Sequence, residues 1–235
     1  STEGFVSGER LSNLLGVSRT AVWKQINSLK KDGYVIETQP RLGYRLLHRP
    51  DLLVKTEILS NLATEKWGKD YLYTFAEVDS TNELAKSYAA KGKPEGTVII
   101  AEKQLQGKGR LGRTWLSPEG QGIWVSIIIR PNIMPYKAPQ ITFVLAVGMV
   151  RTLYKALGIK AQIKWPNDLL IKGKKVAGIL TELSAEMERV NYIVFGIGLN
   201  VNQKIKDFPE ELRNKAISLR IASGHYVSRV QVLKV

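Results

Sequence analysis

Ten residues from Gln104 to Arg113, Gln-Leu-Gln-Gly-Lys-Gly-Arg-Leu-Gly-Arg, place three glycines among three cations. Glycine lets a backbone approach a ligand closely. Lys108, Arg110 and Arg113 bring positive charge to the same short stretch, beside backbone N–H groups. A phosphate chain needs that combination. The stretch is not a Walker A loop, because the Gly-Lys-Ser/Thr ending is missing. Glycines 107, 109 and 112 fit the G-x-G-x-x-G spacing, but no helical βαβ context follows them. Read alone, the pattern is a phosphate-binding loop or a flexible basic surface loop.

A second cluster, Lys164-Trp165-Pro166-Asn167-Asp168, ends a short apolar segment. Its lysine can neutralise phosphate charge. The Asn-Asp pair can hold Mg²⁺ or simply make a Pro-Asn-Asp turn. Lys175 precedes the apolar run Val176-Ala177-Gly178-Ile179-Leu180, and a glycine inside a strand suggests a ligand or second backbone lying close. Asp79-Ser80-Thr81-Asn82 stands before a helical pattern and by itself reads as an N-cap. Gly196-Ile197-Gly198-Leu199-Asn200 is again glycine-rich at the end of an apolar run.

Strands are expected from Tyr71 onward, at 98–101, 123–129, 161–164, 176–183 and 192–197, with helices at 82–90 and 141–157. The mixture predicts an α+β domain around one mixed sheet, spanning 71–235. Residues 51–70 read as a linker and an amphipathic entry helix from 52 to about 66. Ahead of it, 1–50 reads as a separate domain. Leu11, Leu14 and Leu15 recur at helical spacing; Gly16 can end that helix, and Ser18 can cap a second one from Arg19 to Lys31. On the second helix Val22, Ile26 and Leu29 form an inward stripe, and Gly33 ends it. Two strands, 34–38 and 43–47, follow around a Pro40-Arg41-Leu42-Gly43 turn. Helix, turn, helix and basic hairpin make a winged helix-turn-helix. Arg19, Thr20 and Lys24 are its candidates for DNA contact, with Arg41 at the hairpin tip. Residues 1–50 hold eight Lys/Arg against four Asp/Glu. A helix usually precedes such a pair, so the N-terminus reads as truncated.

The 235 residues carry 35 Lys/Arg against 21 Asp/Glu, a formal net charge of +14, which favours anionic partners. No cysteine is present, which excludes disulfides and thiolate metal sites. Two histidines, His48 and His225, argue against a histidine-rich zinc site and a Ser-His-Asp triad. No apolar run reads as long enough to cross a membrane, and the polar start is not a signal peptide, so a cytoplasmic location is expected.

In combination and in order, these segments resemble the biotin–protein ligases of the bifunctional type that also repress biotin synthesis genes. The resemblance runs from the winged helix through 79–82, 107–113, 164–168 and 175–180 to 196–200. It implies a class II synthetase-like catalytic domain shared with lipoate ligases. It also implies a reaction: biotin and ATP, with Mg²⁺, give biotinyl-5′-AMP, and a lysine of a biotin carboxyl carrier protein then takes the biotin. Operator DNA would be the second partner, bound by a homodimer that forms when ligand is held.

By the same resemblance, Lys175 and Arg110 are catalytic. Biotin would be held by Ser80, Thr81, Asn82, Gln104, Lys108, Gly109, Arg110, Lys175, Gly178, Leu180 and Gly196. ATP would be held by Arg110, Arg113, Lys164, Asn167, Asp168 and Asn200, with Asp168 also the candidate Mg²⁺ ligand. Trp115 and Trp124 are candidate pocket walls or core residues. Three departures stand out: Lys108 where many relatives carry arginine, Gln106 in place of a small residue, and Ala216-Ile217 where some carry a tryptophan stacked on adenine. The family's small C-terminal SH3-like domain is not expected within 235 residues, so the C-terminus also reads as cut short. Two alternatives remain at this point: a lipoate–protein ligase, and a repressor that senses a ligand without catalysis.

Overall fold

A computed structural model describes residues 4–60, 62 and 64–235. The chain divides into two compact units, one ending at Asp51 and the other running from Leu52 to Val235.

In the first unit α1 (Gly8–Leu15) and α2 (Arg19–Lys31) are each started by a serine. The Ser7 and Ser18 hydroxyls accept from the Arg10 and Ala21 amides, satisfying donors that a helix start leaves open. Gly16 closes α1 in the left-handed conformation, φ 63°. Strands β1 (Val35–Gln39) and β2 (Gly43–His48) pair antiparallel, and Val6 bridges to Tyr44 beside them. Gly43, at φ 108°, lies against the Val6 backbone where a Cβ would overlap it. Val22 is buried, with Ile26 and Leu29 half-buried below it. Leu14 and Leu15 keep their helical spacing on α1 but not the burial it implies: they are 71% and 64% exposed, and only Leu11 of that set turns partly inward.

The second unit opens with α3 (Lys55–Leu59). The entry helix expected from 52 to about 66 is therefore a short helix of five residues, and the part of that expectation at Asn61 and Ala63 lies outside the described residues. Seven strands follow: β3 (Leu72–Val78), β4 (Val98–Gln104), β5 (Gly122–Ile129), β6 (Gln162–Lys164), β7 (Asp168–Ile171), β8 (Lys174–Ala185) and β9 (Val190–Asn200). They form one sheet in the order β3-β4-β5-β9-β8-β7-β6. Only β3 and β4 run parallel, joined by the crossover helix α4 (Thr81–Ala90); the other neighbours are antiparallel. Strand β7 has no counterpart among the expected strands. It pairs with β8 across Lys172-Gly173, both at positive φ, the requirement of a two-residue hairpin turn.

Side chains alternate across the sheet, so each strand supplies two cores. Ile99, Ile128 and Val194 pack under Ala85 and Ala89 of α4. Ile100, Val125, Ile179 and Phe195 face the other way, in the core that holds α5 (Ala138–Leu157), α6 (Leu219–Ser223) and α7 (Arg229–Lys234). With the turn ahead of it, α5 makes a 23-residue helical span that contains an 18-residue window of mean hydropathy 1.2. Length and composition alone would let it cross a bilayer, which corrects the reading that no such run exists. In the fold it lies along β6, β7 and β8, with Ala138, Thr142, Ala146 and Leu153 buried.

One ion pair ties the end of the chain into this layer. Arg229, 2% exposed, reaches Glu102 of β4 at 2.6 Å, and the other Glu102 oxygen accepts from the Leu53 amide at 2.6 Å. Breaking a buried pair by removing one partner costs about 3–5 kcal/mol, because the other charge stays buried. Arg229→Met is expected to lower the unfolding free energy by about 3 kcal/mol in urea titration; a loss below about 1 kcal/mol would contradict this role.

Candidate active site

The site begins with missing side chains. Gly178 of β8 pairs with Gly198 of β9, and Leu180 pairs with Gly196, so three glycines flatten two adjacent strands. Asn82 rests on Gly196 so closely that a Cβ there would overlap its Oδ1. A Cβ on Gly198 would overlap the Trp115 indole, and one on Gly178 would lie 3.0 Å from the same ring. What lies close to Gly178 is thus a side chain of this chain, where the sequence suggested a ligand or a backbone.

Polar groups rim the trough. Ser80, Thr81 and Asn82, at the start of α4, are each 3% exposed. The Thr81 amide and hydroxyl donate to Gln104 Oε1 at 2.8 and 3.0 Å, and Gln104 Nε2 donates to Ser117 Oγ at 2.7 Å. The buried Ser126 hydroxyl donates to Asn82 Oδ1 at 2.7 Å, and Asn82 Nδ2 donates to Glu182 at 2.8 Å. Satisfied on both sides, these amides and hydroxyls are fixed in orientation before any ligand arrives.

The glycine-rich stretch forms a narrow hairpin. Lys108 bridges to Thr114, the Gly109 amide donates to the Arg113 carbonyl at 2.7 Å, and the Trp115 amide donates to the Gly107 carbonyl at 2.8 Å. Leu111 at its tip is 87% exposed, with φ 57°. Arg110 Nη1 donates to Asn167 Oδ1 at 3.2 Å, and Asn167 Nδ2 is anchored on the Ile179 carbonyl at 2.8 Å. Lys175 Nζ lies 2.7 Å from Asp168 Oδ1, a close ion pair set off the line a hydrogen bond needs, and 5.1 Å from the Trp115 ring centre. Its backbone is clamped by the Lys215 carbonyl at 2.8 Å and the Ile217 amide at 2.9 Å.

Two cavities meet here. The inner one, with about 50 Å³ of accessible space, is lined by Ser80, Thr81, Asn82, Gln104, Lys108, Gly109, Arg110, Lys175, Gly178, Leu180 and Gly196, which is every residue expected to hold biotin. The outer one is lined by Arg110, Arg113, Lys164, Asn167, Asp168 and Asn200, every residue expected to hold ATP. Six residues border both: Gln104, Gly109, Arg110, Trp115, Asn167 and Lys175. Trp124, 0% exposed, is core and borders neither, whereas Trp115 walls both. Sequence reading missed Ser117, Ser126 and Glu182, which hold the rim in place, and the outer cations Lys206, Arg213 and Lys215. Single serines and surface lysines carry no spacing signal, so only the fold reveals them. The expected DNA contacts are all exposed in the first unit: Arg19, Thr20 and Lys24 on α2, and Arg41 at φ 68° on the hairpin turn.

Comparison with known proteins adds independent findings. Residues 74–200 match the biotin/lipoate A/B protein ligase family, and residues 1–45 match an HTH domain. The chain is 48% identical over 230 residues to Bifunctional ligase/repressor BirA of Bacillus spizizenii, covering 98% of this chain and 70% of that protein. Against Bifunctional ligase/repressor BirA of Escherichia coli it is 36% identical over 197 residues, 84% of this chain and 60% of that one. Among solved structures, the biotin protein ligase from Aquifex aeolicus in complex with biotin and ATP superposes with a TM-score of 0.59 at 35% identity, over 70% of this chain and 68% of that chain. A helix-turn-helix unit and a glycine-floored double cavity, with matches over most of the length, place this chain in the biotin/lipoate A/B protein ligase family, among its bifunctional ligase/repressors.

Proposed function

We propose that the chain joins biotin to ATP as biotinyl-5′-AMP, transfers the biotin to a lysine of a biotin carboxyl carrier protein, and uses the adenylate as corepressor for operator binding. The observation that carries the enzymatic reading is that Arg110 and Lys175 border both cavities. A carboxylate oxygen must attack the α-phosphorus of a polyanion, and two unit charges at 4 Å repel by about 4 kcal/mol at an effective dielectric near 20. Cations at the junction offset that repulsion, and they stabilise the transition state further as charge gathers on the phosphoryl oxygens. Pyrophosphate leaves. The acceptor amine then attacks the acyl carbon, AMP departs with the electron pair of the broken bond, and the amine gives up its proton.

The other roles follow from chemistry. The ureido ring of biotin both donates and accepts hydrogen bonds, which suits the fixed hydroxyls and amides of Ser80, Thr81, Asn82 and Gln104. Leu180 gives the ring a wall, while Gly178 and Gly196 let Trp115 and Asn82 sit low against the strands beside it. Lys108 and Gly109 flank the carboxylate end. Arg113, Lys164, Asn167 and Asn200 take the nucleotide, and the Gly107–Arg113 hairpin covers the anhydride against water. Among the described residues no three acidic or histidine side chains gather as a metal cage. Asp168, which faces Lys175, is the side chain that would hold magnesium brought in with ATP, and the ion would neutralise phosphate charge there.

In the first unit Arg19, Thr20 and Lys24 would enter the major groove, with Arg41 on the backbone or minor groove. Two-fold operators call for two such units, so the liganded chain is proposed to dimerise sheet to sheet. One chain holding both modules supports coupling between them.

Biotin-dependent exchange of labelled pyrophosphate into ATP is the first test; exchange is expected with biotin and not with lipoate. Equal exchange with lipoate would favour a lipoate ligase, and none with biotin would remove the enzymatic reading. Lys175→Ala is expected to slow exchange by two to three orders of magnitude, about 3 kcal/mol in the barrier. A loss under tenfold would count against its role. Operator affinity should rise when biotin and ATP are added together, and equal affinity with and without them would end the corepressor proposal.

A further inference from the structure

The hairpin that covers the junction is held from outside it. Lys108 is at the stem of that hairpin, and its Nζ donates to Glu83 Oε1 on α4 at 2.7 Å. Glu83 stands three residues after the Ser80 cap, where in a capping box its carboxylate would turn back to the Ser80 amide. Here Oε1 faces outward between two lysines, Lys108 and, at 2.8 Å, Lys86. Lys86 also reaches Glu182 at 2.9 Å, and the second Glu182 oxygen holds Asn82, which rests on Gly196. A continuous chain of charge-assisted contacts thus runs from the hairpin stem to the pocket floor. The hydrogen bond from Lys108, followed by that from Lys86, holds the Glu83 carboxyl below the usual carboxylate range, so it is ionised at neutral pH.

We infer that Glu83 is a positioning residue that tethers the Gly107–Arg113 hairpin to α4, keeping it closed over the junction and slowing escape of the adenylate. The inference rests on the ligase reading for its consequence, but the tether itself can be observed without ligand. Lysine suits position 108 in this role, because a flexible stem with a compact charge can meet a single carboxylate oxygen, where a guanidinium would favour two-pronged contact. Glu83 itself lines neither cavity, but it holds Lys108, which lines the inner one, so its effect passes through that contact. The Lys108 and Glu83 side chains are 48% and 39% exposed, and solvent screens the pair accordingly. Exposed pairs are worth about 0.2–1 kcal/mol, so the tether should change hairpin opening by a few-fold, not by orders of magnitude.

Limited trypsin digestion tests this on the full chain, because Lys108, Arg110 and Arg113 are cleavage points within the hairpin. Without ligand, Glu83→Gln is expected to speed cleavage there about threefold at low salt. Raising the ionic strength should shrink that difference, since screening already weakens the tether in the unaltered chain. Release of preformed biotinyl-5′-AMP should quicken by a similar factor. The double exchange Glu83→Lys with Lys108→Glu should restore slow cleavage after Arg110 and Arg113, the two hairpin sites it leaves intact. Unchanged cleavage in Glu83→Gln would overturn the tether. So would a general rise in cleavage across the chain with a lowered melting temperature, or failure of the double exchange to rescue. A chain that shows the hairpin effect but no biotin-dependent exchange would fault the ligase reading and leave the tether standing.

Discussion

Mutual repulsion between a carboxylate and a triphosphate governs this design. In water the two would stay apart; in a half-dry cleft they repel more strongly still unless fixed cations stand between them. In the proposed function the constraint is met at one place, where the inner and outer cavities share Arg110 and Lys175. Each cation has its own restraint. Arg110 leans on Asn167, whose amide is anchored to the β8 backbone, and Lys175 is drawn to Asp168 while its backbone is clamped by 215–217. Such preorganisation matters because charges already in position need not reorganise as the reaction proceeds.

The sheet makes the junction possible by what it leaves out. Gly178, Gly196 and Gly198 let α4 and the Trp115 indole settle onto the strands, so the cleft is cut into the sheet surface instead of resting above it. Alternation gives β9 a double role. Val194 packs under α4, its neighbours Ile193 and Phe195 fill the opposite core, and the glycines at 196 and 198 continue the α4 face into the site. Glu102 lies on the same strand as Gln104, two residues before it, and is bound by Arg229 and Leu53. The strand that presents the Gln104 amide is therefore also pinned by both ends of the second unit.

Much of this is legible in the residues because backbone demands leave marks in sequence. Serine before a helical pattern at 18 and 80 marks two helix starts, and glycines within apolar runs at 178, 196 and 198 mark the cleft. The illegible parts depend on long-range packing. The turn at Lys172-Gly173 lacks the asparagine or aspartate that signals such a hairpin, so β7 leaves no mark of its own. An amphipathic pattern does not fix where a helix stops, so the entry helix reads longer than it is. Leu14 and Leu15 share the period of buried residues, yet both are exposed in the first unit. Trp115 and Trp124 are indistinguishable by type. Trp124 lies mid-strand on β5 and vanishes into the core, while Trp115 ends the glycine hairpin and walls the cleft.

The proposed function puts bond formation between biotin and the nucleotide at one place, the junction between Arg110 and Lys175. A crystal structure of the chain with biotinyl-5′-AMP measures that directly. The acyl-phosphate linkage is expected at the junction, with Lys175 Nζ and the Arg110 guanidinium within hydrogen-bond reach of its oxygens, the bicyclic ring in the inner cavity and the adenosine in the outer cavity. An adenylate whose linkage lies away from both cations, or whose two halves occupy a single cavity, would contradict it.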